Sequence, residues 1–372
     1  MAAVFLAPGR YIQGENVLAK MGEYVLNLGS RFFVLITHSG AKRVGGAIEA
    51  GLSSYGFGFV FEMFGGECTQ AEIDRVARRY AVSGCDAIIG AGGGKLLDTA
   101  KAAAQAAGSP VIIIPTVAAS DAPCSALSVI YTEEGVVERL LVLKSNPDIV
   151  LVDSAVIARA PARMLSAGMG DALATWFECA ATQASDAAKH AGNRITLAAS
   201  AIARQCYDTL LRDGEAALRA VENGICTEAL ENIIEVNILL SGLGFESGGT
   251  AAAHPIHDGF TELPRCHHLY HGEKVAFSTL VQLVMQGADS DLLRELFTFC
   301  RSIDLPVTLA DLGLVDATAE EIRTVARVSM NPKGTMGNMP FPVTEQMVCD
   351  AIWNTDAIMR GYIEEEQKSG QS

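Results

Sequence analysis

The sequence predicts an α/β N-terminal domain with a parallel sheet, followed by an all-α C-terminal domain. Short β-branched runs alternate with amphipathic stretches over roughly the first 160 residues, whereas apolar residues at i, i+3, i+4 and i+7 dominate the remainder. At 372 residues the chain is also long enough for two domains with separate cores. We therefore place the domains at 1–160 and 161–372 and expect the ligand site in a cleft between them.

The first domain is read as strands separated by helices. Its strand runs are "RFFVLITH", "FGFVFEMF", "CDAIIG", "PVIIIP" and "PDIVLVD". Helical stretches such as "AKRVGGAIEAGLSSYG", "AEIDRVARRYAVSG" and "LLDTAKAAAQAAG" lie between them. Strands connected by helices form βαβ units, which build a parallel sheet covered on both faces.

The second domain is read as helical. Long stretches such as "SAVIARAPARMLSAGMGDALATWFECAATQAS", "ITLAASAIARQCYDTLLRDGEAALRAV" and "EALENIIEVNILLSGLGF" have the helical period. We predict no strand beyond "PDIVLVD".

Charge and composition limit the partners. The chain has 28 Lys and Arg against 43 Asp and Glu, a net charge of −15, which disfavours nucleic acid and anionic membranes. This charge is more compatible with a small neutral ligand than with a polyanionic partner. Charged residues make up only 19% of the chain, so we expect some apolar surface to be covered in a homo-oligomer.

Cysteine usage and the N-terminus indicate a cytoplasmic protein. Nine cysteines are scattered without a CxxC pair, which predicts reduced, buried thiols rather than disulfides. The start "MAAVFLAPGRYIQG" has no signal-peptide pattern, and no apolar run approaches the length of a membrane span.

A glycine-rich segment, "DAIIGAGGGKLLDTAKAAA", joins a buried strand to a helix. Its backbone N–H groups and the helix N-terminus suit a diphosphate, with Lys95 and Asp98 in the first helical turn. The spacing does not match GxGxxG. It is not a Walker A loop either, because Ile89 stands where the first glycine should be and Leu96 where Ser or Thr would hold Mg²⁺. A glycine turn needed only to pass from strand to helix is the alternative.

A second loop follows the next buried strand in "IIIPTVAASDAPCSALSVIY". Thr116, Ser120, Asp121 and Ser125 lie at the carboxyl end of a parallel strand, where ligands bind in open α/β sheets. A loop held by its own Asx and Ser turns is an equal alternative.

Five of the 7 histidines fall within "HPIHDGFTELPRCHHLYHG". A metal site, a proton relay and a polar loop are all compatible with this spacing. The five are His254, His257, His267, His268 and His271.

These segments together resemble one family over essentially the whole chain. The motifs are "GGGKLLDTAKA", "PTVAASDAPCSALSVIY", "GMGDALATWFE", "ESGGTAAAHPIHDGFT", "CHHLYHGEKVAF" and "NMPFPVT". They are similar to motifs of the glycerol dehydrogenase branch of the metal-dependent, iron-containing alcohol dehydrogenases. The resemblance implies reversible, NAD-dependent oxidation of glycerol and related vicinal diols to dihydroxyacetone and other hydroxyketones, with the hydroxyl ionised at a metal.

The resemblance also implies a metal site. Its ligands fall on Asp171, His254 and His271, and one carboxylate with two imidazoles leaves an open position on a catalytic Zn²⁺. Fe²⁺ is the alternative ion. Taken alone, Asp171 after "GMG" is more typical of a helix N-cap. His257 is expected beside the metal or substrate or at the surface, and His267 and His268 in the loop that leads to His271.

Cofactor and substrate residues follow from the same resemblance. Asp121 is expected beside the diol, which completes a catalytic set with the three metal ligands. The nucleotide is expected to contact Gly92, Gly93, Gly94, Lys95, Asp98, Thr116, Ser120, Ser125, Leu127 and Tyr131, with His38 near its ribose.

Three positions depart from the family pattern. His38 stands where an acidic residue usually takes the ribose hydroxyls, and Lys42 and Arg43 are near, which leaves NADP as an alternative to NAD. Pro255 follows His254 directly and predicts a helix kink at that ligand. Gly337 replaces a histidine that often precedes "NMPFP".

The sequence alone is compatible with other functions than glycerol oxidation. A dehydroquinate-synthase-like enzyme or a polyol-phosphate dehydrogenase of the same fold would need several cations in its pocket, and the motifs supply chiefly Lys95, Arg265 and Lys274. An inactive dinucleotide-binding or zinc-binding protein is the non-enzyme alternative.

Overall fold

A computed structural model describes residues 2–185 and 193–369. The chain forms two compact units. The sheet unit comprises Leu6–Ala162 and Arg219–Gly242, and the helical unit comprises Met1–Phe5, Arg163–Leu218 and Leu243–Ser372. The functional division between a nucleotide-binding and a metal-binding part stays a prediction.

The strands have two to six residues each. In chain order they are β1 (Ala2–Ala3), β2 (Arg10–Gly14), β3 (Arg31–Ile36), β4 (Gly58–Met63), β5 (Ala87–Gly92), β6 (Val111–Pro115), β7 (Leu127–Tyr131), β8 (Val137–Val142), β9 (Ile149–Asp153) and β10 (Asn193–Arg194).

A six-stranded parallel sheet of order β2-β9-β6-β5-β3-β4 forms the centre of the sheet unit, which confirms the predicted α/β architecture. Strands β3, β5 and β9 are almost completely buried, as expected for strands covered on both faces. The chain leaves β3 for β4 on one side and then continues from β5 to β6 on the other. The carboxyl ends of β3 and β5 therefore flank the point where the strand order reverses, which is where ligands bind in open α/β sheets.

The helices follow the predicted periodicity. They are α1 (Met21–Val25), α2 (His38–Gly40), α3 (Gly46–Ser53), α4 (Gln70–Ala81), α5 (Gly94–Ala107), α6 (Ser154–Ile157), α7 (Ala162–Ala184), α8 (Leu197–Glu222), α9 (Glu228–Glu235), α10 (Ser241–Gly248), α11 (Ala253–Thr261), α12 (His271–Met285), α13 (Ser290–Ser302), α14 (Ala319–Ser329) and α15 (Glu345–Ser369). Two π-helical segments, Ala41–Gly45 and Val236–Leu240, continue α2 and α9.

Two strand pairs lie outside the central sheet. Strands β7 and β8 form an antiparallel hairpin directly after the second predicted ligand loop. Strand β10 pairs with β1 over two residues and is the exception to the prediction that no strand follows "PDIVLVD". Among the described residues, no helix combines the length and the apolar character that a membrane span requires.

Candidate metal centre and glycine-rich loop

Asp171, His254 and His271 come together in the helical unit, with one potential ligand atom of each within 4.8 Å of the others. The Nε2 atoms of His271 and His254 lie 3.1 Å and 3.5 Å from Asp171 Oδ1. The Asp171 side chain is 1% exposed, whereas those of His254 and His271 are 24% and 41% exposed. The cluster therefore has a buried carboxylate at its base and solvent-accessible imidazoles above it.

Asp171 lies well inside helix α7, so the alternative of a helix N-cap is wrong. Next to it, Gly170 allows α7 to approach the start of α12 closely. A methyl group added to Gly170 would lie 2.4 Å from the carbonyl oxygen of Gly272, and one added to Gly272 would lie 1.7 Å from the carbonyl oxygen of Ala167. Only glycines permit this approach of the two backbones, which sets the spacing of Asp171 and His271.

His254 is held from behind by Glu178, a residue that the sequence interpretation missed. The His254 Nδ1–H donates to Glu178 Oε2 at 2.5 Å, and the backbone N–H of His254 donates to Glu178 Oε1 at 3.1 Å. A carboxylate on the outer nitrogen fixes the ring orientation and leaves Nε2 free for a metal. Glu178 lies two helical turns after Asp171 on α7, a spacing of seven residues that places both on one helix face.

Two buried side chains satisfy the backbone N–H groups at the start of helix α11. Glu178 also accepts from Ala251 at 2.8 Å, while the amide oxygen of Gln282 accepts from Ala252 and Ala253 at 2.9 Å each. Helix N-termini leave such donors without intrahelical partners. These contacts anchor the segment that carries His254.

The predicted kink at Pro255 is wrong. Helix α11 begins at Ala253, so Pro255 lies in its first turn. A residue there has no intrahelical N–H bond to lose, and proline is tolerated at that place. His254 is therefore positioned by regular helix geometry.

His271 is the first residue of helix α12 and is held from two sides. Glu273 accepts the backbone N–H of Tyr270 at 2.7 Å and forms an ion pair with Arg163 at 2.6 Å. With its Nε2 turned to Asp171, His271 donates from Nδ1–H to His257 Nε2 at 3.0 Å. These contacts fix both the helix start and the ring.

His257 continues this chain of hydrogen bonds outward. Its Nδ1–H donates to Asp258 Oδ1 at 3.1 Å, and the Asp258 side chain is 68% exposed. His267 and His268 lie in the exposed connection before α12, where they donate to the backbone carbonyls of Thr261 and Arg265 at 3.0 Å and 2.8 Å. The histidine-rich segment thus divides into residues at the cluster and residues of the connecting loop.

The electrostatics of the cluster favour a bound cation. Burial acts to raise the pKa of Asp171, but His271 and His254 hold that pKa well below its ordinary value. Burial acts to lower the pKa of His254, but Glu178 and Asp171 raise it well above its ordinary value. Burial and His271 lower the pKa of His257 to about 3, so this ring is neutral. One carboxylate and two imidazoles fit a catalytic metal ion, with open positions for a ligand.

The glycine-rich loop lies at the carboxyl end of β5 in the sheet unit. Strand β5 ends at Gly92, and helix α5 begins at Gly94 with Gly93 as its N-cap residue. No atom of the described chain, apart from neighbouring backbone, lies within 4 Å of a methyl group added to Gly93 or Gly94. The helix N-terminus is therefore open, and its donors can receive a diphosphate.

The second predicted loop meets the first at this edge of the sheet. The Thr116 backbone N–H donates to the Gly92 carbonyl at 3.0 Å, and Thr116 and Ser125 are buried. The Lys95 ammonium lies 4.7 Å from the centre of the Tyr131 ring and 2.5 Å from Glu67 Oε2. Burial raises the pKa of Tyr131 to about 12, so its hydroxyl is neutral.

Three further predicted residues have distinct surroundings. The Asp98 side chain, 7% exposed, directs Oδ2 to the Val129 backbone N–H at 3.0 Å and is thus engaged with β7. Asp121 Oδ2 accepts a hydrogen bond from Ser241 at 2.9 Å. His38 is exposed just beyond β3, whose Ile36 is paired with Ala91 of β5. Of the predicted cofactor residues, His38, Gly92 and Thr116 lie at the carboxyl ends of β3, β5 and β6. Leu127 and Tyr131 lie on β7, and the buried Asp98 carboxylate is engaged with that strand.

Comparison with known proteins agrees with this arrangement. Residues 8–154 match the family described as iron-containing alcohol dehydrogenase. A protein of Citrobacter freundii named glycerol dehydrogenase is 47% identical over 363 residues, which cover 98% of this chain and 100% of the relative.

Solved structures show the same relationship. A probable glycerol dehydrogenase from Sinorhizobium meliloti is 45% identical, with a TM-score of 0.90 over 97% of this chain and 99% of that chain. The glycerol dehydrogenase of Schizosaccharomyces pombe is 37% identical, with a TM-score of 0.93 over 98% of this chain and 93% of that chain.

The fold, together with these full-length similarities, defines an oxidoreductase. The chain belongs to the iron-containing alcohol dehydrogenase family, where its relatives include proteins named glycerol dehydrogenase.

Proposed function

We propose that this protein oxidises glycerol and related vicinal diols to dihydroxyacetone and the corresponding hydroxyketones, with NAD as the hydride acceptor. The reaction is reversible and uses a Zn²⁺ ion held by Asp171, His254 and His271. The convergence of these three ligand atoms within 4.8 Å carries the proposal. The relatives named glycerol dehydrogenase, at 45–47% identity over at least 96% of this chain, support the choice of substrate.

The chemistry explains why a metal is needed. Oxidation at C2 of glycerol breaks one C–H and one O–H bond, so a bound nicotinamide would take up the hydride and the proton would be released to water. Zn²⁺ supplies the acidity for the second event, since it lowers the pKa of bound water from about 15.7 to about 7, roughly 12 kcal/mol. A histidine base with an ordinary pKa near 6.5 could not deprotonate an alcohol by itself.

The protein's own residues position the reactants. Glu178 and His257 orient the two imidazoles by their outer nitrogens, at 2.5 Å and 3.0 Å, so that both Nε2 atoms face Asp171. Asp121, fixed by its hydrogen bond from Ser241, is the acceptor we assign to a second hydroxyl of the diol. A vicinal diol offers one hydroxyl for ionisation and a second, on the adjacent carbon, for such an acceptor, which favours vicinal diols over simple alcohols.

The nucleotide is proposed to lie over the glycine-rich loop, with its diphosphate at Gly93 and Gly94. Ser120, Ser125, Leu127 and Tyr131 contribute from the second loop. We favour NAD over NADP, although His38 in place of an acidic residue removes the usual repulsion of a 2′-phosphate. The His38→Asp variant should therefore increase the preference for NAD, measured as the ratio of kcat/KM for the two cofactors.

The charges favour a neutral substrate over a phosphorylated or carboxylated one. Lys95 is paired with Glu67 at 2.5 Å, and Arg265 is paired with Glu321 at 3.4 Å and also contacts Asp316. These cations are already compensated and have less charge to offer an anion. All three proposed metal ligands are present, with their ligand atoms within 4.8 Å of one another, which argues against an inactive scaffold.

Initial rates with a substrate panel test the proposal. Metal-loaded protein should reduce NAD with glycerol and 1,2-propanediol, and reduction should be much weaker with 1,3-propanediol, whose hydroxyls are not vicinal. Glycerol 3-phosphate tests the phosphorylated alternative. Failure of all diols to reduce NAD or NADP would exclude the proposed function, and preference for the phosphate ester would replace the substrate class.

A further inference from the structure

Lys101 is a buried lysine that the proposed reaction does not use. It lies on helix α5, which begins at the glycine-rich loop, and its side chain is 1% exposed. Its ammonium donates to the carbonyl oxygens of Ala122 at 2.8 Å and Leu127 at 2.5 Å, and lies 3.0 Å from Asp98 Oδ1. One cation therefore joins helix α5 to both ends of the segment 122–127.

Side chains from other elements hold this segment in addition to backbone bonds such as that from the Leu143 N–H to the Ala126 carbonyl at 2.8 Å. Lys101 also donates to the Ser125 carbonyl at 3.3 Å, and Asn146 donates to the Cys124 carbonyl at 2.9 Å. Just beyond it, Ser128 donates to the Asp98 carbonyl at 3.0 Å. The position of the second loop thus depends on groups that reach it from α5 and from the chain before β9.

A buried ammonium is a costly way to obtain stability alone. Removing a charge from water is costly, and apolar replacements of buried ion pairs are often neutral or stabilising. A buried lysine that contacts three carbonyl groups and a carboxylate is better explained by the geometry that it imposes. The segment that it holds contains Ser125 and ends at Leu127, two of the predicted nucleotide contacts.

We propose that Lys101 is a positioning residue for the nucleotide site, because its ammonium fixes the 122–127 segment against helix α5 before the nucleotide binds. This inference rests on the proposed function. Asp98, with its carboxylate directed at Lys101 and at the Val129 backbone N–H, acts through Lys101 and does not touch the nucleotide. Preorganisation of this kind increases affinity by lowering the ordering cost of binding.

The test compares Lys101→Met, the double variant Lys101→Met/Asp98→Asn and the matched control Lys144→Met, which changes an exposed lysine of the same unit. The double variant avoids an unpaired buried carboxylate. NADH affinity is measured by fluorescence titration of the metal-loaded protein, alongside thermal unfolding, metal content, and KM and kcat. We expect the dissociation constant and the cofactor KM to rise about tenfold or more in the Lys101 variants, with metal content unchanged and kcat at saturating cofactor within about threefold.

Unchanged NADH affinity in a folded Lys101 variant would overturn the inference. Hydrogen exchange in the unaltered protein provides a second test that no folding defect can obscure. The amides of 122–131 should be protected to a similar degree with and without NADH, whereas protection that appears only with NADH would contradict preorganisation. If the unaltered protein binds neither NADH nor NADPH, the proposed function itself fails.

Discussion

Gly170 and Gly272 bring helices α7 and α12 into backbone contact, each one residue away from a proposed metal ligand. A methyl group added to Gly170 would lie only 2.4 Å from the carbonyl oxygen of Gly272, which is too close for two such atoms. This contact fixes the positions of Asp171 and His271, because each of them is next to one of the two glycines in the chain. The distance between the Asp171 carboxylate and the His271 imidazole is thus possible because the two glycines have no side chains to separate the helices.

The variant Gly272→Ala should therefore damage the site. Its methyl group would meet the Ala167 carbonyl oxygen at 1.7 Å, so the helices must separate, at a cost of about 3 kcal/mol or more. We expect a lower melting temperature and loss of bound metal. The matched control is Gly361→Ala in helix α15, where an added methyl group meets no described atom within 4 Å. That variant should be as stable as the parent or more stable, by up to about 1 kcal/mol.

The ligand set predicts a clear division among the histidines. His254→Ala, His271→Ala and Asp171→Ala should each lose bound metal and activity, because each removes one of three donors. His267→Ala and His268→Ala should retain most of both, since these exposed rings form hydrogen bonds to the backbone carbonyls of Thr261 and Arg265. Metal content by elemental analysis, read beside NAD reduction, is the measurement. Stoichiometric zinc in any of the first three variants would refute the ligand set.

Glu178 should act on the metal through His254. The Glu178→Gln variant retains the shape and one hydrogen bond but loses the charge, so we expect metal affinity to fall about 10- to 100-fold. Glu178→Ala also leaves the N–H groups of Ala251 and His254 without their acceptor and should lower the melting temperature as well. The matched control is Glu366→Gln on the exposed face of α15. Competition with a chelator measures affinity, and equal zinc affinity in Glu178→Gln and the control would contradict this role.

Two glycines near the end of β5 should separate binding from stability. Gly93→Ala adds a methyl group to open space, so the melting temperature should hardly change while the KM for NAD rises. Gly90→Ala places a methyl group 2.6 Å from the Ala100 side chain, so stability should fall by about 1–3 kcal/mol. Thermal unfolding and cofactor KM, measured on both variants, test this contrast. A Gly93→Ala protein with unaltered cofactor KM would show that the loop does not approach the nucleotide.

The sequence predicted the parallel sheet because buried β-branched runs and helical periods alternate so regularly before residue 160. The sequence also predicted the glycine-rich loop as a nucleotide site, and Asp171, His254 and His271 as metal ligands. The last step required family resemblance, since Asp171 by itself is more typical of a helix cap. The histidine spacing could not distinguish the cluster from the loop, because that difference depends on where α11 ends and α12 begins.

Other features depend on contacts between distant parts of the chain and have weak local signals. Glu178 and Gln282 are 104 residues apart in the sequence, yet the side chains of both accept backbone hydrogen bonds at the start of α11. Residues 219–242 have a helical period like the rest of the second half, but they pack in the sheet unit, where Ser241 reaches Asp121. Pro255 gave the wrong expectation because a one-turn difference in the helix start decides whether proline breaks a hydrogen bond.

A metal titration tests the central claim most directly. Chelator-treated protein is mixed with increasing Zn²⁺, and NAD reduction with glycerol is followed together with bound zinc. We expect activity to be absent without metal and to rise in proportion to bound zinc until one ion per chain, with no recovery in His271→Ala. Glycerol oxidation that persists in metal-free protein, or that recovers in His271→Ala to the level of the parent, would contradict the proposed metal centre.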